Sequence, residues 1–148
     1  MWFCIQYAPP RKGTIMSNQI TIACAKGYLW NKAISLLTDI GYQFENDLSG
    51  SRQLSTMDQT GTLKLMKVRP WDVPVYLEEG AADLGVVGKD VIIEQSPEIL
   101  ELQDLKFGDC RLVIAGPEST KDSYLTHNIR VATKYENATL QYFLSKSI

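Results

Sequence analysis

Apolar and polar positions follow two rhythms along this chain, and the points where one replaces the other predict its elements. Ile20-Thr21-Ile22-Ala23-Cys24-Ala25 is a short apolar run ending at Lys26-Gly27, the pattern of a buried strand and a tight turn. From Leu29, apolar residues recur at Ala33, Leu36, Leu37 and Ile40, a helical spacing that Gly41 stops. Tyr42 to Thr62 is polar and turn-rich, punctuated by Gly50-Ser51-Arg52 and Gly61. Leu63 to Val68 predicts a second strand closed by Pro70, and Asp72 is placed to cap a helix that buries Val73, Tyr76 and Leu77. Leu84 to Val87 is nearly free of polar residues, as a strand covered on both faces must be, and Gly88 turns it into a short helix over Lys89 to Glu94.

Beyond residue 95 the rhythm changes. Ile99 to Leu105 and Cys110 to Ala115 read as a strand pair around Phe107-Gly108-Asp109. Arg130 to Thr133 reads as a further strand, and Asn137 to Lys146 carries Leu140, Phe143 and Leu144 on one helical face. Repeated strand–turn–helix units argue for a parallel α/β sheet with ligands at the carboxyl ends of its strands. The change of pattern suggests a first lobe over 20–95 and the start of a second over 96–148, unfinished at Ile148. Residues 1–19, with Pro9-Pro10 before Arg11-Lys12, read as a flexible or misassigned N-terminal extension.

Composition narrows the chemistry. With 45% hydrophobic and 22% charged residues in 148, the chain is of ordinary globular type, and a net charge of −2 argues against a general nucleic-acid surface. The basic residues of the N-terminus follow its apolar start, the reverse of a secretory signal, and no stretch has the length of a membrane span. Cys4, Cys24 and Cys110 are widely spaced and His127 is the only histidine, which speaks against zinc and against a disulfide framework. A cytoplasmic setting follows, with Cys24 and Cys110 as small core residues.

The residues able to carry chemistry are cations beside strand-end turns. Lys26-Gly27 offers an ammonium group and backbone N–H donors where a helix begins, although the phosphate-loop pattern G-x-x-x-x-G-K-[ST] is absent. Ser51-Arg52 and Arg69-Pro70-x-Asp72 add guanidinium groups, the natural partners of phosphate or carboxylate. Taken alone, Lys26-Gly27 and Ser51-Arg52 read more readily as ordinary surface; Arg69-Pro70-x-Asp72 is the stronger signal, although Arg69 could equally pair with Asp72 or a neighbouring glutamate. Gly85 and Gly88 mark close backbone approach, to a ligand or to a neighbouring helix. Asp109-Cys110-Arg111 and Thr133-Lys134-Tyr135 repeat the theme. No G-x-S-x-G is present, and no histidine lies near Cys110, so neither serine nor cysteine nucleophile chemistry is indicated. Together these turns describe a site for a phosphate-rich small molecule.

The ordered set Ala25-Lys26-Gly27-x-Leu29, Ser51-Arg52, Val68-Arg69-Pro70-x-Asp72-Val73-Pro74 and Gly80 to Asp90 resembles the ATP phosphoribosyltransferases of histidine biosynthesis. Asp104-Leu105-x-x-Gly108-x-Cys110-Arg111 and Arg130 to Tyr135 continue it, so the resemblance runs from about Ile20 to the C-terminus. It implies an α/β chain of two lobes, similar to type II periplasmic binding proteins, with the second lobe incomplete. It further implies transfer of the ribose of phosphoribosyl pyrophosphate to N1 of ATP, with Mg2+ accompanying the phosphates. Lys26, Gly27, Ser51, Arg52, Arg69 and Asp72 would line one side of the cleft and Lys134 the other. No catalytic residue is assigned. Self-association is implied, and for short members of the family a regulatory subunit resembling histidyl-tRNA synthetase.

Two departures stand out. Tyr28 takes the place where the family commonly has arginine, exchanging a phosphate-type contact for a stacking surface. The family's Thr-Gly-x-Thr-Leu-like phosphoribosyl pyrophosphate loop is absent from these 148 residues, so little or no transferase activity is expected of the chain as written. The alternative is a non-catalytic binding or assembly module derived from the enzyme. A solute-binding domain of periplasmic type suits the fold but not the missing signal or the cysteines.

Overall fold

The computed structural model describes residues 3–7 as backbone, and 19–44, 53–118 and 130–147 with their side chains. The apolar run Ile20–Ala25 is strand β2 and sits in the middle of one mixed sheet. The chain begins with β1 (Phe3–Tyr7) and continues after β2 with α1 (Tyr28–Asp39), β3 (Ser55–Met57) and β4 (Leu63–Val68). A single 3-10 turn (Pro70–Asp72) leads to α2 (Val73–Glu78), β5 (Leu84–Gly88), α3 (Lys89–Gln95), β6 (Leu100–Asp104) and α4 (Glu136–Ser145). The sheet order is β3-β4-β2-β5-β1-β6, with β4 and β5 parallel to β2 on either side.

β2 and β5 are almost wholly apolar because both their faces are covered, β4 keeps two partly exposed lysines, and the period-2 alternation of side chains sorts the apolar residues between two cores. Ala23, Ala25, Val68 and Val87 face α2 and α3, where Val73, Leu77, Val91 and Ile92 complete one cluster. Ile22, Cys24, Leu63, Leu65 and Val86 face α1 and pack on Trp30, Ala33 and Leu37. Complete burial of a residue such as Leu65 or Leu77 contributes about 1.5–3 kcal/mol.

Gly85 explains itself in this packing. A Cβ built there would lie 2.7 Å from Leu77 Cδ1 and 2.9 Å from Val73 Cγ1, so the glycine lets α2 settle on β5 and does not face a ligand. Asp83 is likewise structural: its carboxylate accepts the Thr21 N–H at 2.8 Å at the start of the sheet.

Several sequence expectations are corrected. α1 turns Trp30 inward, whereas Leu36 is only half buried and Ile40 is 65% exposed, because the helix ends before Ile40 and its inner stripe runs Trp30-Ala33-Leu37. The turn-rich segment contains β3, antiparallel to β4 across a turn held by Asp58, whose carboxylate accepts N–H groups from Thr60 (3.1 Å) and Leu63 (2.6 Å) and the Thr60 hydroxyl. Tyr76 is only partly buried beside Val73 and Leu77.

The strand pair around residue 108 does not form. β6 is there, but it pairs with β1, and Lys106 and Gly108 adopt positive φ, turning the chain away. Asp104 fixes that turn by accepting the Lys106 N–H at 2.9 Å. Cys110–Ala115 is consequently irregular and exposed, so Cys110 is not a core residue, while Cys24 is. Arg130–Thr133 is irregular too, having no neighbouring strand to pair with among the described residues. In the stretch read as an N-terminal extension, Phe3–Tyr7 is a strand between β5 and β6, antiparallel to both.

Candidate functional site

Strand register decides which turns share an edge. Ala25 lies opposite Val68 and Cys24 opposite Val86, so β2, β4 and β5 deliver Lys26-Gly27, Arg69–Asp72 and Lys89-Asp90 to the same end of the sheet. The Lys26 N–H donates to the Val68 carbonyl at 2.9 Å and ties the first two turns together.

Gly27 has φ of 94°, which an L side chain enters only under strain, and open space where its Cβ would be. α1 starts directly after it with no side-chain cap, leaving first-turn N–H groups turned toward the edge beside the exposed Lys26. Tyr28 is 57% exposed, and Lys32, one turn on, holds its ammonium 5.7 Å from the ring centre.

Arg69 is extended and exposed, and no hydrogen bond or ion pair engages its guanidinium among the described residues. Asp72 stands at the N-cap position of α2 without a side-chain capping bond. The ion pair that could have joined them is not formed among the described residues. A cation and a carboxylate are therefore both open to a ligand on one turn.

Lys134 is far away in sequence but reaches the same turn. Its Nζ lies 4.9 Å from the centre of the Tyr135 ring and 5.9 Å from that of Trp71, and the two rings lean together at 5.7 Å and 36°. The Tyr135 hydroxyl donates to Asp90 Oδ2 at 2.7 Å; burial and this carboxylate push the phenol well above its ordinary range, so it stays protonated. Glu94, four residues after Asp90 and so on the same face of α3, is buried. Its carboxylate accepts the Asn137 and Ala138 N–H groups at 2.9 and 3.0 Å, and its backbone carbonyl accepts Asn137 Nδ2 at 2.7 Å. A side chain of α3 thus caps α4 and holds residues 133–138 against the first half of the fold.

The remaining candidates fare differently. Lys89 is paired with Glu101 of β6, which makes it a tether rather than an open cation. Arg111 is exposed on an irregular segment. Ser51 and Arg52, like His127, lie outside the described residues. Burial pushes the Cys24 thiol up to about 12, leaving it neutral and inert. Partial burial and the Asp90 and Asp109 carboxylates also raise the thiol of Cys110, opposite to what an activated nucleophile needs. A surface hollow of about 260 Å³, lined by Ile40–Gln43 and Asp58–Thr60, lies at the opposite edge, where α1 ends and β4 begins, away from the cations. Trp71 and Glu94 were not singled out from sequence, and Tyr135 was noted only as the residue after Lys134; a tryptophan between proline and aspartate, outside any helical stripe, was the available signal for the first.

The profile of the family described as HisG: ATP phosphoribosyltransferase matches residues 69–148, which include the Arg69–Asp72 turn and Lys134. The chain belongs to the ATP phosphoribosyltransferase family. It is 46% identical to the ATP phosphoribosyltransferase of Caldanaerobacter subterraneus subsp. tengcongensis over 86% of its own length and 60% of the relative's. The figures for the enzyme of Thermoanaerobacter sp. strain X514 are 48%, 87% and 60%, and for that of Citrifermentans bemidjiense 44%, 90% and 64%. A solved chain from the ATP phosphoribosyl transferase (HisG:HisZ) complex of Thermotoga maritima superposes with a TM-score of 0.69 at 32% identity, covering 87% of this chain and 60% of that one. The chain therefore spans about 60% of the length of these family members. The α/β class and the family read from the sequence both stand.

Proposed function

We propose that the carboxyl-end edge of β2, β4 and β5 is the nucleotide side of an ATP phosphoribosyltransferase cleft. The observation that carries this reading is the register that brings Lys26-Gly27, Arg69 and Asp72 together, with Lys134 beside them, in a chain of this family. The reaction joins adenine N1 of ATP to ribose C1 of phosphoribosyl pyrophosphate. The N1 lone pair forms the new bond while the C1–O bond breaks, and pyrophosphate leaves with its electron pair. Two polyanions must be held side by side, and negative charge grows on the leaving group. Lys26, the N–H groups after Gly27, Arg69 and Lys134 supply the opposing charge.

Among the described residues no group of three or more His, Cys, Asp or Glu side chains could cage a metal. Mg2+ would therefore be held chiefly by phosphate oxygens, with Asp72 as the nearest free carboxylate, and it would supply charge neutralisation. Ser51 and Arg52 would extend the same phosphate contacts. The solved relative comes from a complex of HisG with HisZ, which supports a regulatory partner of that kind, and self-association accompanies it in this reading. The lobe division near residue 95 and a cytoplasmic setting belong to the same proposal; no helix of the described residues is long and apolar enough to cross a membrane.

Titration with MgATP tests this. Arg69→Ala is expected to weaken binding about tenfold or more while moving the melting temperature by no more than a degree or two, because an exposed side chain adds little to folding. Equal losses of binding and stability would make Arg69 a structural residue. The second reading is a binding module without turnover. MgATP binding without pyrophosphate release in the presence of phosphoribosyl pyrophosphate distinguishes it.

A further inference from the structure

We infer that Trp71 and Tyr135 form an aromatic cradle that positions the Lys134 ammonium for the phosphates of the bound nucleotide; this rests on the nucleotide reading of the edge and assigns to the two rings a role in it. Lys134 is exposed, and a lysine on a four-carbon stem ordinarily samples many rotamers, so a useful phosphate contact requires something to gather it. Both rings lie within cation–π reach of Nζ, at 4.9 and 5.9 Å.

The cradle is itself held from several sides. Trp71 packs against the core cluster of α2 and α3, and its carbonyl accepts Gln95 Nε2 at 2.9 Å. Tyr135 is fixed at its hydroxyl by Asp90 and at its N–H by Thr133 Oγ1 at 3.0 Å. Glu94 anchors the next turn of chain through Asn137 and Ala138. The rings are thus rigidly mounted while the ammonium above them is open to solvent. Trp71 also stands between Pro70 and Asp72, so the same turn that presents Arg69 mounts the lysine contributed from 65 residues downstream. A ring face attracts the cation without neutralising it, unlike a carboxylate partner, so Lys134 keeps its full charge for a ligand.

The test uses the full chain, MgATP as probe, and the variants Trp71→Leu, Trp71→Phe, Tyr135→Leu and Lys134→Ala. Without ligand, the ε-methylene protons of Lys134 should be shifted upfield by the ring currents, and the shift should shrink in Trp71→Leu and Tyr135→Leu. With MgATP, each leucine variant should weaken binding about three- to tenfold, on the scale of one cation–π contact plus lost ordering. Trp71→Phe should restore most of the affinity. In the Lys134→Ala background, Trp71→Leu should cause no further loss, which a merely structural role would not produce. If Trp71→Leu unfolds the chain, Tyr135→Leu, on the more exposed segment, carries the same comparison. Random-coil shifts for Lys134, or leucine variants that bind as wild type while Lys134→Ala does not, overturn the cradle and leave the nucleotide reading intact. Failure of the wild type to bind MgATP overturns both.

Discussion

Residues 19–95 and residues 96–147 both carry short apolar runs, yet among the described residues only the first half buries them. Every buried hydrophobic residue of the described chain, from Ile22 to Ile92, lies in the first half. In the second, Leu112, Val113 and Ile114 are 51–74% exposed, and α4 exposes Leu140, Tyr142 and Leu144. The difference lies in neighbours. β2 has a strand on each side and a helix on each face, so its apolar residues find cover within about 75 residues of chain. Cys110–Ala115 and Arg130–Thr133 have strand-like composition but no strand beside them among the described residues. An apolar pattern specifies which residues favour burial; which element covers them is a separate matter. The proposed nucleotide edge draws on both halves: the packed one carries Lys26, Arg69 and Asp72, and the open one brings Lys134 beside them because Asp90, Glu94 and Trp71 hold its segment down.

The comparison breaks most sharply at its centre. Leu77 is fully buried between the sheet and α2, and Leu77→Ala should cost about 2–5 kcal/mol in urea unfolding, through lost transfer energy and the cavity left behind. A value under 1 kcal/mol would mean that the first half is not a tightly packed core.

A smaller effect is expected from Asp58, the polar linchpin of the β3–β4 turn. Burial alone would raise its carboxyl, but the Thr60 hydroxyl and the N–H groups of Leu63, Thr60 and Thr62 outweigh that and hold it below the ordinary value of 3.8. A folded-state value lower than the unfolded one gives stability that is present above the unfolded value and lost as pH falls through the folded one. Asp58→Asn should therefore lower the melting temperature at pH 7, and the gap from wild type should close below about pH 4. A gap independent of pH would remove the carboxylate from the account.

The smallest effect sharpens the contrast. Val113 is 74% exposed, so Val113→Ser should change stability by less than about 0.5 kcal/mol in the chain as it stands. A loss comparable with that of Leu77→Ala would show that the second half is packed after all.

What the sequence made legible follows the same division. β2, β4, β5 and the helices between them were readable to within a residue or two, because short apolar runs flanked by glycine and proline are local signals. β3 was hidden, since its short run Ser55–Met57 exposes two of three residues. β1 escaped notice because its pairing with β5 and β6 is non-local, and the pair expected around Gly108 failed because Lys106 and Gly108, both at positive φ, turn the chain away from β6. At the proposed site, Lys26, Gly27, Arg69 and Asp72 were picked out from their places at strand ends, and register brings those turns to one edge of the sheet. Trp71 was not picked out, and Tyr135 only as the neighbour of Lys134, because the contact of the two rings joins segments 64 residues apart.

The most direct test is hydrogen–deuterium exchange of the full chain with and without MgATP, read by mass spectrometry at peptide resolution. The account predicts slowed exchange in peptides covering Ala25–Leu29, Arg69–Val73 and Thr133–Ala138, with the hollow at Ile40–Gln43 and Asp58–Thr60 unchanged. Protection confined to that hollow, or none at saturating MgATP, would contradict a nucleotide site at the carboxyl ends of β2, β4 and β5.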